Sequence, residues 1–280
     1  PQHGSYADSG ILPYATGSVN PFEPASWVQF CLIPMQLYQF RHSSFCEKVR
    51  LVLAAKAISY SVVEVLPGIG QWELFQQTGQ RQVPVLQTGN EWIADSTAIA
   101  LHLEAVEPEP ALLPKEPLLR AQVLLFEDWA DTALASAARF ALVQGAMDDP
   151  ALRSALLPEK TPDALKNLVG LVPSNWMNGV GLLLQPERQG LLACLEQLMV
   201  ILNAQPYLLG DEPSLADIAV AAQLYLLRFP AVAGVQLASR GVMGIADQAN
   251  FEPLFIWRDE LYRRLGRVIT NTKPFSDSEI

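Results

Sequence analysis

The sequence predicts an α/β domain followed by an all-helical domain. Strand and helix periodicities alternate between residue 35 and about residue 105, whereas only helical spacing recurs after a proline-rich stretch at 106–117. The length supports the same division, because 280 residues are enough for two compact units, and domains commonly run to about 100 to 200 residues. The fold class expected is therefore α/β plus all-α.

Composition narrows the classes of function. Half of the residues are hydrophobic and 17% are charged, which is typical of a globular chain and not of a disordered one. The net charge of -10 gives no basic excess for phosphates, so we expect no nucleic-acid partner. The most apolar stretches, Leu191 to Leu202 and Leu215 to Leu227, contain polar residues and fall short of the ~20 residues of a membrane span, so no transmembrane segment is expected.

The cysteines indicate a reducing compartment. Cys31, Cys46 and Cys194 are odd in number and widely spaced, which fits neither a disulfide framework nor a zinc site, and we expect no metal. We expect a soluble protein of the cytoplasm or of an organelle stroma. A first residue other than Met is consistent with removal of a leader, tag or transit segment.

The first domain is preceded by an arm and begins with a βαβ unit. Residues 1–34 are rich in Pro, Gly, Ser and Asn and predict an extended arm, with Trp27, Val28 and Phe30 as possible anchors. A strand at 35–40, a helix that ends near Lys56 and a strand at 60–65 follow. Two strands joined by a helix should be parallel, with a right-handed crossover.

A β-hairpin and a further helix complete the first domain. After a short helix around residues 72–77, strands at 83–86 and 91–94 flank the turn residues Gly89 and Asn90. Asp95 and Ser96 begin a helix that ends near residue 105, before two prolines. The order βαβαββα is that of a thioredoxin-like domain, which we assign to residues 35–113.

The second half, residues 117–270, is predicted to be a helical bundle. Helical spacing predicts four helices, at 118–143, 187–203, 215–229 and 251–265. Five prolines and a weak pattern at about 145–186 indicate an insertion, and 271–280 is expected to be a tail. Ser214 and Asp217 resemble a capping box at the start of the third helix, which we assign to folding and not to catalysis.

The first candidate for chemistry is the turn from strand to helix at residues 42–50. A hydroxyl at a helix N-terminus lies among unpaired amides at the positive end of the dipole, which favours a bound thiolate. Ser43 could donate its hydroxyl hydrogen to such a sulfur. A plain helix cap by Ser43 or Ser44 explains the same residues, and Cys46 is either a small buried residue or a redox thiol.

Two further segments offer binding groups. Pro84 interrupts an apparent central strand, which a cis peptide at Val83–Pro84 would explain, although a proline at the start of an edge strand is the alternative. At Asp95 and Ser96, helix amides with a hydroxyl could hold a carboxylate while Asp95 accepts from an ammonium group. That is the pattern an amino-acid end requires, although a helix cap explains it equally well.

The order of these motifs resembles the glutathione transferase family. The matching segments are Ser-Ser-Phe-Cys-Glu-Lys-Val-Arg, Gln-Val-Pro-Val-Leu, Asp-Ser-Thr-Ala-Ile-Ala, and Tyr-Leu-Leu-Gly-Asp with Ser-Leu-Ala-Asp-Ile-Ala. They cover residues 35–113 and, in the helical half, mainly 207–222. The resemblance implies a thioredoxin-like glutathione-binding domain followed by the family's helical domain.

The resemblance also implies roles for individual residues. Ser43 matches the serine that activates the glutathione thiol. Ser44 is an alternate because it replaces the proline that is common after that serine, and Cys46 is an alternate because it matches the fourth position of the related Cys-x-x-Cys redox motif. The residues that match glutathione contacts are Gln82 at the glycyl end, Val83 and the cis-proline Pro84 at the cysteinyl part, and Asp95 with Ser96 at the γ-glutamyl end.

The implied activity is conjugation of the glutathione thiolate, as co-substrate, to an electrophilic, apolar small molecule. Phe126, Trp129 and Arg139 are candidates for the second-substrate pocket, with core packing as the alternative. A thiol-disulfide or dehydroascorbate reductase that uses Cys46, or a non-catalytic adaptor bound to partner subunits, are the other functions considered. The resemblance implies a homodimer.

Overall fold

The computed structural model describes residues 35–65, 69–157 and 185–267 of the chain. The predicted arm at 1–34, most of the predicted insertion and the predicted tail at 271–280 lie outside these ranges, as does Cys31. The two halves of the chain within the described ranges share one continuous hydrophobic core.

A four-stranded mixed sheet forms the centre of the first half. Its strands are β1 (Met35–Gln39), β2 (Ser61–Glu64), β3 (Val85–Thr88) and β4 (Glu91–Ala94), in the order β2-β1-β3-β4. The pairing of β1 with β2 is parallel, whereas β1 with β3 and β3 with β4 are antiparallel. Both the predicted parallel βαβ unit and the predicted hairpin are confirmed.

Three helices cover this sheet: α1 (Ser44–Ala55), α2 (Ile69–Thr78) and α3 (Ser96–Val106). Helices α1 and α3 pack their apolar faces against the sheet. Val52 and Leu103 of these helices and Leu37 and Leu86 of the strands are fully buried there. Burial of each such side chain contributes roughly 1.5 to 3 kcal/mol. The thioredoxin-like order βαβαββα predicted from the sequence is confirmed. Strand β3 begins two residues later than predicted, because Pro84 has no amide to donate to the ladder.

The second half is helical, as predicted. Its helices within the described ranges are α4 (Pro117–Trp129), α5 (Ala135–Asp148), α6 (Pro150–Ala155), α7 (Gln185–Ala204), α8 (Leu215–Leu227) and α9 (Glu252–Arg264). The single helix predicted at 118–143 is instead α4 and α5 joined by a π-helical turn, Ala130–Leu134. Among these described helices none has both the length and the apolar content to cross a membrane.

Helix α8 is the centre of the second half. Every one of its thirteen residues is buried, which explains why its sequence is apolar all round. At its start the Asp217 carboxylate accepts hydrogen bonds from the Ser214 amide (2.9 Å), the Ser214 hydroxyl (2.7 Å) and the Leu208 amide (2.8 Å). The predicted pairing of Ser214 with Asp217 is therefore present, and it also fixes the preceding loop.

The segment between the two halves is held to both of them through Leu112 and Leu113. The Glu104 carboxylate of α3 accepts from the amides of Leu112 and Leu113, each at 3.0 Å, and forms a 2.5 Å ion pair with Lys56. Further on, the Leu215 amide donates to the Leu112 carbonyl at 2.9 Å. This proline-rich connection therefore fixes α8 against the first half instead of acting as a loose linker.

Candidate active site

The strand register brings three predicted binding segments to one edge of the sheet. Tyr38, near the end of β1, pairs with Val85, at the start of β3, and Val85 pairs with Ala94, at the end of β4. Residues that follow β1, precede β3 and follow β4 therefore all lie at this edge. They are the segments that carry Ser43, Val83 with Pro84, and Asp95 with Ser96.

Two helices begin at the same edge. Helices α1 and α3 start at Ser44 and Ser96, directly after β1 and β4. The first amides of each helix have no partner inside the helix, and both dipoles present their positive ends there. The edge therefore offers two regions that favour a negatively charged ligand group.

Ser43 caps α1 and remains half-buried. Its Oγ accepts from the Cys46 amide at 3.3 Å, a hydrogen bond that does not use the hydroxyl hydrogen. Ser44 differs, because it is 2% exposed and its Oγ is fully buried without a hydrogen-bond partner among the described residues. Ser43 is therefore the more accessible of the two serines.

Cys46 is enclosed in the core. It is 0% exposed, and burial raises the pKa of its thiol even though Arg50 and the Ser43 hydroxyl act in the opposite direction. A reactive cysteine needs access and a lowered pKa. Cys46 has neither property in this structure, so it fits the buried interpretation better than the redox one.

Asp95 adopts an unusual backbone conformation at the start of α3. Its φ is 79° and its ψ is 132°, a region that non-glycine residues rarely occupy and that is often found at ligand sites. Its Oδ1 accepts from the amides of Thr97 (2.9 Å) and Ala98 (3.0 Å). The second carboxylate oxygen takes part in neither bond, and the residue is exposed. Asp95 can therefore cap α3 and, at the same time, accept a hydrogen bond from a ligand ammonium group.

Ser96 points into the protein and not toward the edge. It is 2% exposed, and its hydroxyl donates to Asp131 Oδ2 at 3.2 Å. A hydroxyl has a single hydrogen to donate, so it does not at the same time serve a ligand carboxylate. The Ser96 amide, at the first position of the helix, is the group that remains for that role.

Ser96 belongs to a buried polar network between the two halves of the chain. Lys48 of α1 is fully buried, and its Nζ contacts Glu127 of α4, Asp131 of the π-helical turn (2.7 Å) and Thr97 of α3 (3.0 Å). Burial raises the pKa of Asp131, although Lys48 opposes the change. The network thereby fixes the start of α3 relative to α1 and α4.

Sequence reasoning missed Lys48, Glu127, Asp131 and Thr97. The available signal was an acidic pair, Glu127 and Asp131, whose spacing of four residues puts both on one side of the predicted helix at 118–143. Charged residues are seldom fully buried unless paired, so an acidic pair on the buried side indicates a basic partner. The sequence does not tell which basic residue that partner is.

The remaining predicted glutathione contacts lie on the segment before β3. The Val83–Pro84 peptide bond is cis, which confirms the predicted conformation. Pro84 is buried, Val83 is half-buried and packs on a small cluster with Val85 and Leu74, and Gln82 is exposed. The exposed Gln82 side chain and the Val83 main chain thus lie at the sheet edge.

The three residues predicted for the second-substrate pocket are not brought together. Phe126 and Trp129 line a cavity whose described walls come from α4 and α7 alone. Arg139 lies elsewhere, with its guanidinium 5.3 Å from the centre of the Phe45 ring. Phe45 is two residues from Ser43, so Arg139 lies near the start of α1. No cluster of three potential metal-ligand side chains is found within the described ranges.

Comparison with known proteins identifies the family of this chain. Residues 37–111 match the description "Glutathione S-transferase, N-terminal domain" and residues 182–267 match "Glutathione S-transferase, C-terminal domain". The maleylacetoacetate isomerase of Pseudomonas aeruginosa is 30% identical over 234 residues, which are 79% of this chain and 93% of that protein. The chain belongs to the glutathione S-transferase family. The predicted family is therefore confirmed.

Two other proteins are similar over a shorter stretch or at lower identity. A probable maleylacetoacetate isomerase of Drosophila melanogaster is 34% identical over 93 residues, and the chain spans 38% of that relative's length and 31% of its own. The crystal structure of a β-etherase from Sphingobium has a TM-score of 0.59 at 23% identity and covers 83% of this chain and 97% of its own. That similarity supports the fold alone.

Proposed function

We propose that the chain is a glutathione-dependent transferase that binds glutathione at the sheet edge formed by the starts of α1 and α3 and the segment before β3. The observation that carries the proposal is the strand register, which places Ser43, Val83 and Asp95 at one edge. Each segment taken alone is explained by an ordinary helix cap or an edge proline. Their convergence next to two helix N-termini is what supports a site for a peptide-like anion.

The start of α3 holds the γ-glutamyl end of glutathione in this proposal. The Ser96 amide donates to the carboxylate, and the free Asp95 oxygen accepts from the ammonium group. Asp131 contributes indirectly, because its bond with the Ser96 hydroxyl at 3.2 Å fixes the helix start. The main chain of Val83 pairs with the cysteinyl part, and Gln82 contacts the glycyl end.

Ser43 performs the chemical role. Its hydroxyl donates to the glutathione sulfur, and the positive end of α1 adds to the stabilisation of the thiolate. A free thiol has a pKa of about 8.5, so a lowered pKa makes the nucleophile abundant at neutral pH. The thiolate forms a bond to an electrophilic carbon, and the electron pair displaced from that carbon leaves with a departing group or moves along a conjugated double bond.

The electrophile is expected next to Ser43, beside Phe45 and Arg139. The Phe45 ring offers an apolar face, and Arg139 is an exposed cation that lies over it. An apolar molecule that carries an anionic group fits this pair of side chains. Phe126 and Trp129 are less suited to this role, because the described residues that line their cavity all belong to α4 and α7.

A second candidate reaction is a glutathione-dependent cis–trans isomerisation. The relatives of Pseudomonas aeruginosa and Drosophila melanogaster are named maleylacetoacetate isomerases. The thiolate would add to an electron-poor double bond, the resulting single bond would rotate, and the sulfur would leave with its original electron pair. Glutathione is consumed in conjugation and regenerated in isomerisation, so its stoichiometry separates the two reactions.

The other functions from the sequence are less well supported. A disulfide or dehydroascorbate reductase would need an accessible thiolate at Cys46, which is fully buried with a raised pKa. A non-catalytic adaptor would retain the fold without binding glutathione. Stable partner subunits together with absent conjugation would favour the adaptor. The predicted homodimer is tested directly by the mass of the purified protein in solution.

Replacing Ser43 tests the proposed function. Loss of a hydrogen-bond donor to a developing anion typically reduces kcat by about 100-fold to 1000-fold, and we expect a loss of this order in conjugation for Ser43→Ala. The ultraviolet absorbance of the bound thiolate should titrate at a higher pH in this variant. Ser43→Thr keeps a hydroxyl and should retain most of the activity, and Ser44→Ala removes only a buried one.

Disulfide reduction by the same variants provides the control. A reductase that uses Cys46 would keep its activity in Ser43→Ala and lose it in Cys46→Ala. Loss of conjugation in Ser44→Ala but not in Ser43→Ala would contradict the assigned role of Ser43. Wild-type protein that does not bind glutathione and neither conjugates nor isomerises an electrophile would support the adaptor.

A further inference from the structure

The turn that leads into Ser43 is held by two charged side chains. The Arg41 amide donates to Glu64 Oε1 of β2 at 2.7 Å, and the Arg41 carbonyl accepts from Arg50 Nη2 of α1 at 2.9 Å. Within the turn, the Ser43 amide donates to the Phe40 carbonyl at 3.0 Å. The main-chain groups just before Ser43 therefore depend on Glu64 and Arg50 for their positions.

Arg50 is buried, and its guanidinium group bonds to this turn. The residue is 5% exposed. Its Nη1 donates to the Gln39 side-chain oxygen, its Nη2 to the Arg41 carbonyl, and its Nε to Glu47 Oε2 at 2.5 Å. A planar guanidinium group with acceptors on three of its nitrogens is held in one orientation. A change in the position of Glu47 would therefore turn Arg50 and alter its bond to the Arg41 carbonyl.

The end of the helical half holds Glu47 in place. Arg267 lies just after α9 and donates from Nε to Glu47 Oε1 at 3.0 Å and from Nη2 to Glu47 Oε2 at 3.2 Å. Two parallel bonds of this kind fix the plane of a carboxylate. The Glu47 side chain is 0% exposed and that of Arg267 is 17% exposed, so solvent screens the pair only weakly. A continuous series of bonds thus runs from Arg267 through Glu47 and Arg50 to the turn.

We propose that Arg50 is a positioning residue for Ser43, and that Arg267 holds Arg50 in this role through Glu47. This inference rests on the proposed function, in which the Ser43 hydroxyl donates to the glutathione sulfur. A hydrogen bond weakens steeply when its distance or angle is poor, so a displaced turn stabilises the thiolate less well. The end of the helical half thereby influences the chemistry at the sheet edge, although Arg267 bonds to α1 and not to the turn itself.

Arg50→Lys tests the bond to the turn. Lysine keeps a cation beside Glu47 but lacks the fork of donors that reaches Gln39 and the Arg41 carbonyl together. We expect the ultraviolet absorbance of the bound glutathione thiolate to titrate about one pH unit higher than in the wild type, which is about a tenfold change in the ionisation equilibrium. The affinity for S-methylglutathione, which has no thiol to ionise, should change little.

Replacements at the end of the helical half test the remote contact. Arg267→Gln removes a cation from Glu47 and should raise the titration midpoint by a smaller amount than Arg50→Lys, whereas Arg267→Lys restores the charge and should recover part of the shift. Arg264→Gln is the matched control, because the guanidinium of this last residue of α9 bonds to Tyr207 and Glu212 of the helical half. The midpoint of Arg264→Gln should equal that of the wild type.

The same replacements in a Ser43→Ala background separate positioning from a general structural effect. If Arg50 acts through the Ser43 hydroxyl, its contribution disappears when that hydroxyl is absent. Arg50→Lys and Arg267→Gln should therefore shift the midpoint no further in Ser43→Ala. An equal further shift in both backgrounds would show that they act on the thiolate by another route, and it would overturn the proposal.

The set of variants also distinguishes failure of this proposal from failure of the proposed function. A raised midpoint in Ser43→Ala, together with wild-type midpoints in Arg50→Lys and Arg267→Gln, would overturn the positioning role and leave the proposed function intact. A wild-type midpoint in Ser43→Ala, or no binding of glutathione by the wild type, would overturn both. If Arg50→Lys does not fold, the partly exposed Arg267 decides the matter through Arg267→Gln.

Discussion

At the scale of single residues, Glu47 shows how a buried charge is retained in α1. Its side chain is fully buried and forms ion pairs with Arg50 (2.5 Å) and Arg267 (3.0 Å). Burial alone would raise the pKa of this carboxyl, but the two guanidinium groups outweigh it and lower the pKa from 4.5 to about 2. Arg267 follows α9, so this residue ties the end of the helical half to α1, directly beside Ser43.

The lowered pKa of Glu47 predicts an acid-sensitive contribution to stability. The folded state favours the ionised form, so the contribution is complete above pH 4.5 and is lost as the pH falls toward 2. In Glu47→Gln the free energy of unfolding at neutral pH should fall by about 3 to 5 kcal/mol, because the buried Arg50 and the half-buried Arg267 lose their carboxylate partner. Urea unfolding at several pH values measures both effects.

The pH dependence separates this explanation from a general loss of packing. Between pH 4.5 and 2 the stability of Glu47→Gln should change less steeply than that of the wild type, because the variant lacks the titrating group. An equal slope for the two proteins would show that Glu47 does not titrate as described. Glu260→Gln is a matched control, since Glu260 is exposed with only a weak 3.9 Å contact to Arg263.

At the scale of elements, the sequence predicts the regular helices and strands well but not the interruptions within them. Helix α8 was predictable because an apolar run follows the Ser214 and Asp217 pair, and the hairpin because Gly89 and Asn90 lie between two short strands. The π-helical turn at Ala130–Leu134 was missed, since one extra residue in a turn leaves the apolar spacing on both sides almost unchanged. Strand β3 begins later than predicted because of Pro84, whose effect on the hydrogen-bond ladder is confined to that position.

The start of α8 gives a prediction about one element. Asp217 is fully buried and accepts three hydrogen bonds from two neighbouring residues. In Asp217→Ala the Leu208 and Ser214 amides lose their acceptor in a dry environment, so we expect the free energy of unfolding to fall by about 3 to 5 kcal/mol. Thermal and urea unfolding measure the change.

Ser214→Ala is the matched control for this prediction. It removes the hydroxyl but leaves both amide bonds to Asp217, so it should reduce stability by only about 1 kcal/mol. Equal losses in the two variants would show that the hydroxyl, and not the pair of amide bonds, is the important group at the start of α8.

At the scale of the whole molecule, the two halves are joined by the buried network around Lys48. This residue is fully buried in α1, and its carboxylate partners Glu127 and Asp131 belong to the helical half. The contacts join residues about eighty positions apart, so no local pattern predicts them. The sequence therefore predicted the helix starts and the Val83–Pro84 bond of the candidate site but not the network that orients Ser96.

Removal of Lys48 should weaken the coupling between the two halves. In Lys48→Met two buried carboxylates lose their cation, and breaking a buried pair in this way typically reduces stability by about 3 to 5 kcal/mol. We expect the single unfolding transition of the wild type to broaden or divide, as measured by fluorescence and circular dichroism in urea. The triple variant Lys48→Met, Glu127→Gln, Asp131→Asn should recover part of the loss.

An unchanged, single transition in Lys48→Met would contradict this account of how the halves are coupled. Glutathione affinity provides an independent readout. Because Asp131 positions Ser96, Asp131→Asn should weaken glutathione binding in a protein that remains folded, whereas Asp128→Asn, a change to an exposed neighbour on α4, should not.

The central claim is that the edge formed by Ser43, Val83 and Asp95 binds glutathione by its amino-acid end. Calorimetric titration of the wild type and of Asp95→Asn, with glutathione and with an analogue that lacks the γ-glutamyl amine, tests it most directly. Asn keeps an oxygen that can cap α3 and tolerates a positive φ, so the fold should persist. The wild type should bind glutathione about tenfold or more tightly than the analogue, a difference of about 1.4 kcal/mol, and Asp95→Asn should bind the two alike. No heat of binding with glutathione, or equal affinity of the wild type for both ligands, would contradict the claim.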